Sequence, residues 1–142
     1  MYKLILLPIL SLMVMGCASN IHREGYNIKN LSTPLLTKEN YTNQVPIKLN
    51  ADLTGHESTV KGTVTMGDSG FSLKCGQDLV LAKLENEAIA VGANLINITW
   101  ESYPSIISSC YRAKAQLIFI SYVEWASTLK TDPQYRVGIY QN

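Results

Sequence analysis

The chain has 142 residues, and its 12 Lys and Arg against 11 Asp and Glu give a net charge of +1. A near-neutral chain without a basic run lacks the positive surface that binds nucleic acid or anionic lipid, so we expect neither partner. The length suits one domain with one hydrophobic core.

Residues 1–16 have the pattern of a bacterial lipoprotein signal peptide. Lys3 precedes an apolar stretch, 4–15, that is shorter than the roughly 20 residues of a membrane-spanning helix. The stretch leads into VMGC, which resembles the lipobox, in which the cysteine is acylated and becomes the new N-terminus. Ala18, rather than Asp, follows, and this resemblance favours the outer membrane. We therefore expect Cys17 to carry a palmitate-type lipid anchor, with the domain in the periplasm or at the cell surface.

The acylated cysteine and the residues after it, 17–45, are predicted to form a flexible tether. The segment is rich in Asn, Thr and Ser and shows no sustained hydrophobic period. Fully drawn out, such a segment spans up to roughly 90 Å. We expect it to hold the domain well clear of the membrane.

Residues 46–142 are predicted to form a single domain that begins with strands. The stretch 46–53 is predicted as a strand or a sheet edge. Beyond it, four residues alternate with polar ones in the period of a strand with one buried face: Val60, Gly62, Val64 and Met66.

A helix is predicted over residues 78–91, with Asp78 as its N-cap and Gly92 as its stop. Its apolar positions recur at helical spacing: Leu81, Leu84, Ala88 and Val91. Glu85 and Glu87 are interpreted as part of its solvated face rather than as an acid/base pair.

Two more strands follow the helix. In residues 95–100, Ile96, Ile98 and Trp100 alternate with Leu95, Asn97 and Thr99, and residues 111–120 alternate in the same way. A short helix is predicted around 123–129. The order predicts an α+β fold in which one main helix packs across a small, mostly antiparallel sheet.

Cys75 and Cys110 have three alternative roles: a disulfide, metal ligands or a catalytic thiol. An exported chain meets an oxidising compartment, where paired thiols persist as disulfides. A metal site needs clustered ligands, and His22 and His56 are close in sequence to neither cysteine. A catalytic thiol needs a nearby His. The pattern favours a disulfide that closes a loop of about 36 residues and contributes roughly 3.8 kcal/mol.

No enzyme signature is apparent, and we expect no catalytic residue, no metal and no cofactor. GDSG at 67–70 matches a serine-protease motif in letters and is interpreted as a turn. Five aromatic residues are interpreted as core or rim residues, with a partner groove as the alternative: Trp100, Tyr103, Tyr111, Tyr122 and Trp125.

A cysteine-bearing loop precedes the helix, KLENEAIAVGANLINITW follows, and SCYRAKAQLIF opens the last strand. Over residues 60–121 this arrangement resembles the RcsF family of outer-membrane lipoproteins, which sense envelope stress for the Rcs phosphorelay. The resemblance implies a disulfide between Cys75 and Cys110. A second family disulfide has no counterpart here, and residues 17–45 lack the family's proline-rich and basic character.

The anchor, the tether and the resemblance predict a non-enzymatic envelope protein that binds a protein partner, such as a barrel or a signalling receptor. Its partner surface is placed at Tyr111, Arg112 and Lys114. The alternative function is a small-ligand or metal-binding envelope lipoprotein.

Overall fold

A computed structural model describes residues 21–26, 44–67, 76–106, 108–122 and 128–136. Within them, one α-helix packs on a five-stranded, mostly antiparallel sheet, which confirms the predicted α+β class. The elements are β1 (Ile21–Glu24), β2 (Ile47–Leu49), β3 (Ser58–Met66), α1 (Gln77–Val91), β4 (Leu95–Ser102) and β5 (Arg112–Ile120), with a short 3-10 helix at Pro133–Tyr135.

The sheet has the strand order β1-β3-β5-β4-β2, so the last strand in the chain lies at its centre. β5 runs antiparallel to both β3 and β4. β1 forms one edge, antiparallel to β3, and β2 forms the other, parallel to β4. Because β3 and β4 are parallel to each other, α1 connects them by crossing over β5.

The end of α1 matches the prediction and its start does not. Gly92 adopts the left-handed conformation with φ 68°, in which it donates its backbone N–H to the Ile89 carbonyl. Gly76, not Asp78, is the N-cap. Asp78 lies in the first turn instead, where its negative charge faces the positive end of the helix dipole.

Asn94, directly after α1, closes the end of β5. Its side-chain oxygen accepts the Ile120 backbone N–H at 2.8 Å, and its side-chain nitrogen donates to the Ile120 carbonyl at 3.0 Å. The Asn94 amide thus replaces a strand partner for one residue of β5, and this explains the Asn of the GAN sequence after the helix.

The main hydrophobic core lies between α1 and the sheet. The predicted helix positions Leu81, Leu84 and Ala88 are buried in it, and each large side chain there contributes about 1.5–3 kcal/mol. The sheet supplies the opposite side from four strands: Ile47, Val64, Met66, Ile96, Ile98, Ala113, Ala115 and Leu117.

A smaller core covers part of the other face of the sheet. Leu95, Ile118 and Ile120 are buried there, with the partly buried Ala51, Leu53 and Leu129 packed against them. Residues of β4 and β5 are therefore buried on both faces near this end, and this part of the sheet is closed to a partner.

Two β-bulges break the alternation on which the strand predictions were based. The pairing register shifts between Val60 and Gly62 in β3, and Val60 is 53% exposed. It shifts again between Ile98 and Trp100 in β4, which leaves Trp100 paired with Lys114 and 49% exposed. A bulge adds one residue to a strand and so reverses the face of those beyond it. The prediction that groups Val60 and Trp100 with the buried residues is wrong.

The predicted tether over 17–45 is wrong for the parts that the structure describes. Ile21–Glu24 forms β1, which pairs with Thr63–Met66 of β3. Tyr26 packs against the main core, and Val45 is buried in it. The chain therefore joins the domain within a few residues of Cys17.

The C-terminal segment borders the free side of β2. The Asp132 backbone N–H donates to the Ile47 carbonyl at 2.8 Å. The Asp132 carboxylate accepts the Leu49 backbone N–H at 2.9 Å and binds the Lys48 ammonium group. These bonds protect a sheet edge that would otherwise expose unpaired backbone groups. Most of the helix predicted at 123–129 lies outside the described residues.

Candidate interaction surface

The two glutamates of α1 that the sequence predicts to be solvated are buried. Glu85 is 0% and Glu87 is 4% exposed, so the prediction of a solvated face is wrong for both. A buried carboxylate is costly unless it is paired and hydrogen-bonded. Each glutamate has such partners, and they come from segments far away in the sequence.

Glu87 is held by two residues of the N-terminal segment. The Arg23 guanidinium donates from Nε to Glu87 Oε2 at 2.7 Å and from a second nitrogen to Oε1, in the bidentate geometry that arginine favours. The Tyr26 hydroxyl donates to Oε2 at 2.7 Å. Burial and this hydrogen bond raise the pKa of Tyr26, and the hydrogen bond to Glu87 raises the pKa of Arg23. We call these residues the Arg23–Tyr26–Glu87 cluster.

The ring of Tyr26 lies directly over Gly62. A Cβ atom added at Gly62 would lie 2.1 Å from Cδ1 of Tyr26, which is closer than van der Waals contact allows. The glycine in β3 thus makes room for the ring that carries the hydroxyl to Glu87. The cluster and this packing together fix β1 to both the sheet and the helix.

Glu85 fixes a second entry of the chain into the domain. Its Oε1 accepts the Val45 backbone N–H at 2.7 Å, and its Oε2 has no hydrogen-bond partner among the described residues. Burial raises the pKa of Glu85, because the low-dielectric interior disfavours the charged carboxylate.

Tyr111 belongs to a buried polar group rather than to a partner surface. It is 1% exposed, and its hydroxyl donates to Glu101 Oε2 at 2.6 Å. The Tyr135 hydroxyl donates to the same oxygen at 2.9 Å. Burial, followed by the bond to Glu101, raises the pKa of both tyrosines. The predicted partner surface therefore loses Tyr111.

The other two predicted surface residues lie on the face of the sheet opposite α1. Lys114 is exposed, and Arg112 is half-buried with a guanidinium nitrogen 3.3 Å from Ser102 Oγ. The pairing registers align Lys114 with His22 and Thr65 on one side and with Trp100 on the other. We define the outer sheet face by these and the adjacent side chains: His22, Glu24, Thr63, Thr65, Trp100, Arg112, Lys114 and Gln116.

The outer sheet face is polar, with one large aromatic side chain. Trp100 reaches it only because of the bulge at Thr99, so a period-two reading could not place it there. His22 reaches it through β1, a strand that the sequence reading assigned to the tether. The face carries Lys114 and Arg112 against Glu24, whose carboxylate lies 3.3 Å from the His22 ring.

Several predicted features lie outside the described residues: Cys17, Trp125, Ser69 of the GDSG turn, and Cys75. Cys110 is buried directly before β5. Because its predicted partner is not described, the structure gives the Cys75–Cys110 disulfide no support, and the disulfide stays a prediction.

The described ranges contain no group of three or more His, Cys, Asp or Glu side chains that could hold a metal ion. In the same ranges, no helix has both the length and the apolar character needed to cross a membrane.

No protein-family model, curated protein or solved structure matches this chain. The resemblance to the RcsF family therefore stays a prediction.

Proposed function

We propose that this chain is a non-enzymatic lipoprotein of the bacterial outer membrane, anchored through Cys17, whose outer sheet face binds an envelope protein. In this proposal the domain is RcsF-like and a disulfide joins Cys75 to Cys110. The lipobox pattern supports the anchor, and the oxidising compartment that an exported protein enters supports the disulfide.

The observation that carries the binding proposal is the exposure of Trp100 beside Lys114. Tryptophan and arginine are enriched at the residues that dominate binding energy in protein interfaces, and a half-exposed tryptophan has much apolar area to bury. The bulge that turns Trp100 outward removes it from the main core, where its burial would stabilise the fold.

Charge favours an acidic partner. Lys114 and Arg112 lie on the same face as Trp100, and the carboxylate of Glu24 is already close to His22. A partner with carboxylates around an apolar pocket would match this arrangement, since complementary charges steer association and fix orientation.

Site-specific photo-crosslinking in cells tests the proposal. A photoreactive amino acid at Thr65, on the outer sheet face, is expected to capture a specific envelope protein. The same amino acid at Val60 is the matched control, because Val60 is also exposed but lies near the opposite end of β3.

Two variants sharpen the test. Trp100→Ala is expected to lower the crosslinking yield at least tenfold, which corresponds to the roughly 2 kcal/mol of an interface hot spot. Lys114→Glu is expected to lower it further at low salt than at high salt, because salt screens exposed charges. Capture from Val60 equal to that from Thr65, or a yield unchanged by Trp100→Ala, would contradict the outer sheet face as the binding site.

A further inference from the structure

The distance between the proposed anchor and the folded domain is short. Three residues, 18–20, separate Cys17 from Ile21, the first residue of β1. Four residue steps span at most about 14 Å, whatever conformation the chain takes. This inference rests on the proposed lipid anchor, and the experiment below separates the two.

β1 is held tightly enough to pass this constraint to the whole domain. It pairs with β3, and the Arg23–Tyr26–Glu87 cluster ties it to α1. Ile21 pairs with Met66, the last residue of β3. At this same end of the sheet β4 ends at Ser102 and β5 begins at Arg112. We call it the anchor end.

The loop at the anchor end is apolar and exposed. It joins β4 to β5, and residues 103–110 contain no charged side chain. Ile106 is fully exposed and Tyr103 is about half exposed. The Ser105 backbone N–H donates to the Ser108 carbonyl at 2.7 Å, which closes a turn with Ile106 at its tip.

The base of this loop is fixed to the domain. The Tyr103 ring packs edge-on against the Tyr111 ring, with ring centroids 5.3 Å apart. Tyr111 is in turn buried and bonded to Glu101. The exposed apolar tip is therefore presented in one direction, beyond the end of the sheet.

The dimensions bring this loop to the membrane. β4 lies three strand spacings from β1, or about 14 Å, which equals the reach of the anchor segment. The headgroup region of one leaflet is about 5–7 Å deep. Tyrosine prefers this region, where its ring is in an apolar and its hydroxyl in a wet environment.

We propose that the loop 103–106 inserts into the headgroup region of the bilayer that holds the anchor, with Ile106 at its tip. The domain then stands with its anchor end on the membrane rather than floating on a long tether. In this orientation the strands point away from the membrane, and the outer sheet face is accessible from the side.

Lipid-quenching measurements on the acylated full-length protein test the orientation. An environment-sensitive fluorophore is attached at Ile106→Cys or, as the control, at Val60→Cys, and the protein is reconstituted in phosphatidylcholine vesicles that contain a headgroup-labelled quencher lipid. The chain without an added cysteine reports background labelling. We expect several-fold stronger quenching at position 106 than at position 60.

A second variant carries a long Gly- and Ser-rich insertion between Asn20 and Ile21. It keeps the anchor and removes the length constraint, so the difference between the two positions is expected to shrink. The mass of the N-terminal peptide shows independently whether Cys17 is acylated. Equal quenching at both positions in an acylated protein overturns the orientation and leaves the anchor intact. An unacylated Cys17 overturns the anchor, and the orientation with it.

Discussion

Substitution of Gly62 by alanine tests how β1 is attached to the domain. The added Cβ atom would lie 2.1 Å from Cδ1 and 2.7 Å from Cε1 of Tyr26, so the ring must move away. A displaced ring loses its hydrogen bond to the Glu87 carboxylate, worth about 1.5–3 kcal/mol, and part of its packing, worth about 1 kcal/mol. Alanine recovers about 0.5–1 kcal/mol, because it restricts the unfolded chain more than glycine does. We expect a net destabilisation of about 2 kcal/mol.

The double-mutant cycle with Tyr26→Ala makes this prediction sharper. Without the ring, alanine at Gly62 has room, and it is expected to stabilise the protein by about 0.5–1 kcal/mol instead of destabilising it. Urea unfolding of the parent, both single variants and the double variant measures a coupling of about 2–3 kcal/mol. If Gly62→Ala destabilises both backgrounds equally, the ring does not occupy the space above Gly62 and the reasoning is refuted.

Three other predictions concern stability. Asn94→Ala is expected to cost about 2 kcal/mol in urea unfolding, because two hydrogen bonds to Ile120 are lost at about 1 kcal/mol each; a cost below about 0.5 kcal/mol would contradict this role. Glu85 has a raised pKa in the folded state, so the folded protein binds more protons than the unfolded chain above pH 4.5, and stability should fall as pH rises from there to the folded-state pKa. Glu85→Gln is expected to flatten this slope in unfolding curves taken across the range, and an unchanged slope would assign it to another group. Cys75→Ser is expected to lower stability by up to about 3.8 kcal/mol under oxidising conditions, with no further loss on adding reductant, whereas two unpaired thiols in the parent protein, at Cys75 and Cys110, would disprove the disulfide.

The α+β class and the helix were predictable because their signals are local. Leu81, Leu84 and Ala88 lie on one helical face, and Gly92 needs only its own backbone conformation to end the helix. Such features depend on neighbours within a turn or two. They are readable from a single sequence.

The faces of Val60 and Trp100 were not predictable in this way. A bulge is a property of two paired strands, and the sequence of one strand does not show where the partner's register shifts. Half of the outer sheet face was missed for this reason. Lys114 was placed correctly because β5 itself contains no bulge before Gln116.

The buried glutamates and β1 were missed for a related reason. Arg23 is 64 residues from Glu87 in the chain, and no period in either segment relates them. The sequence IHRE is polar and short, so it carries little strand signal. Its strand depends on the cluster and on β3, both of which exist only in the folded protein.

The central position of β5 also determines the order in which the sheet can form. β3 and β4 precede β5 in the chain, and each pairs with β5 rather than with the other. Until residues 112–120 are available, only the edge pairs β1–β3 and β2–β4 can form, and isolated two-stranded pairs are marginally stable in water. The last strand to be synthesised therefore joins the two halves in one long-range step, and we expect folding to be slow for a domain of this size. Until that step, the inner edges of β3 and β4 are unpaired, and at this stage the chain is most prone to aggregate.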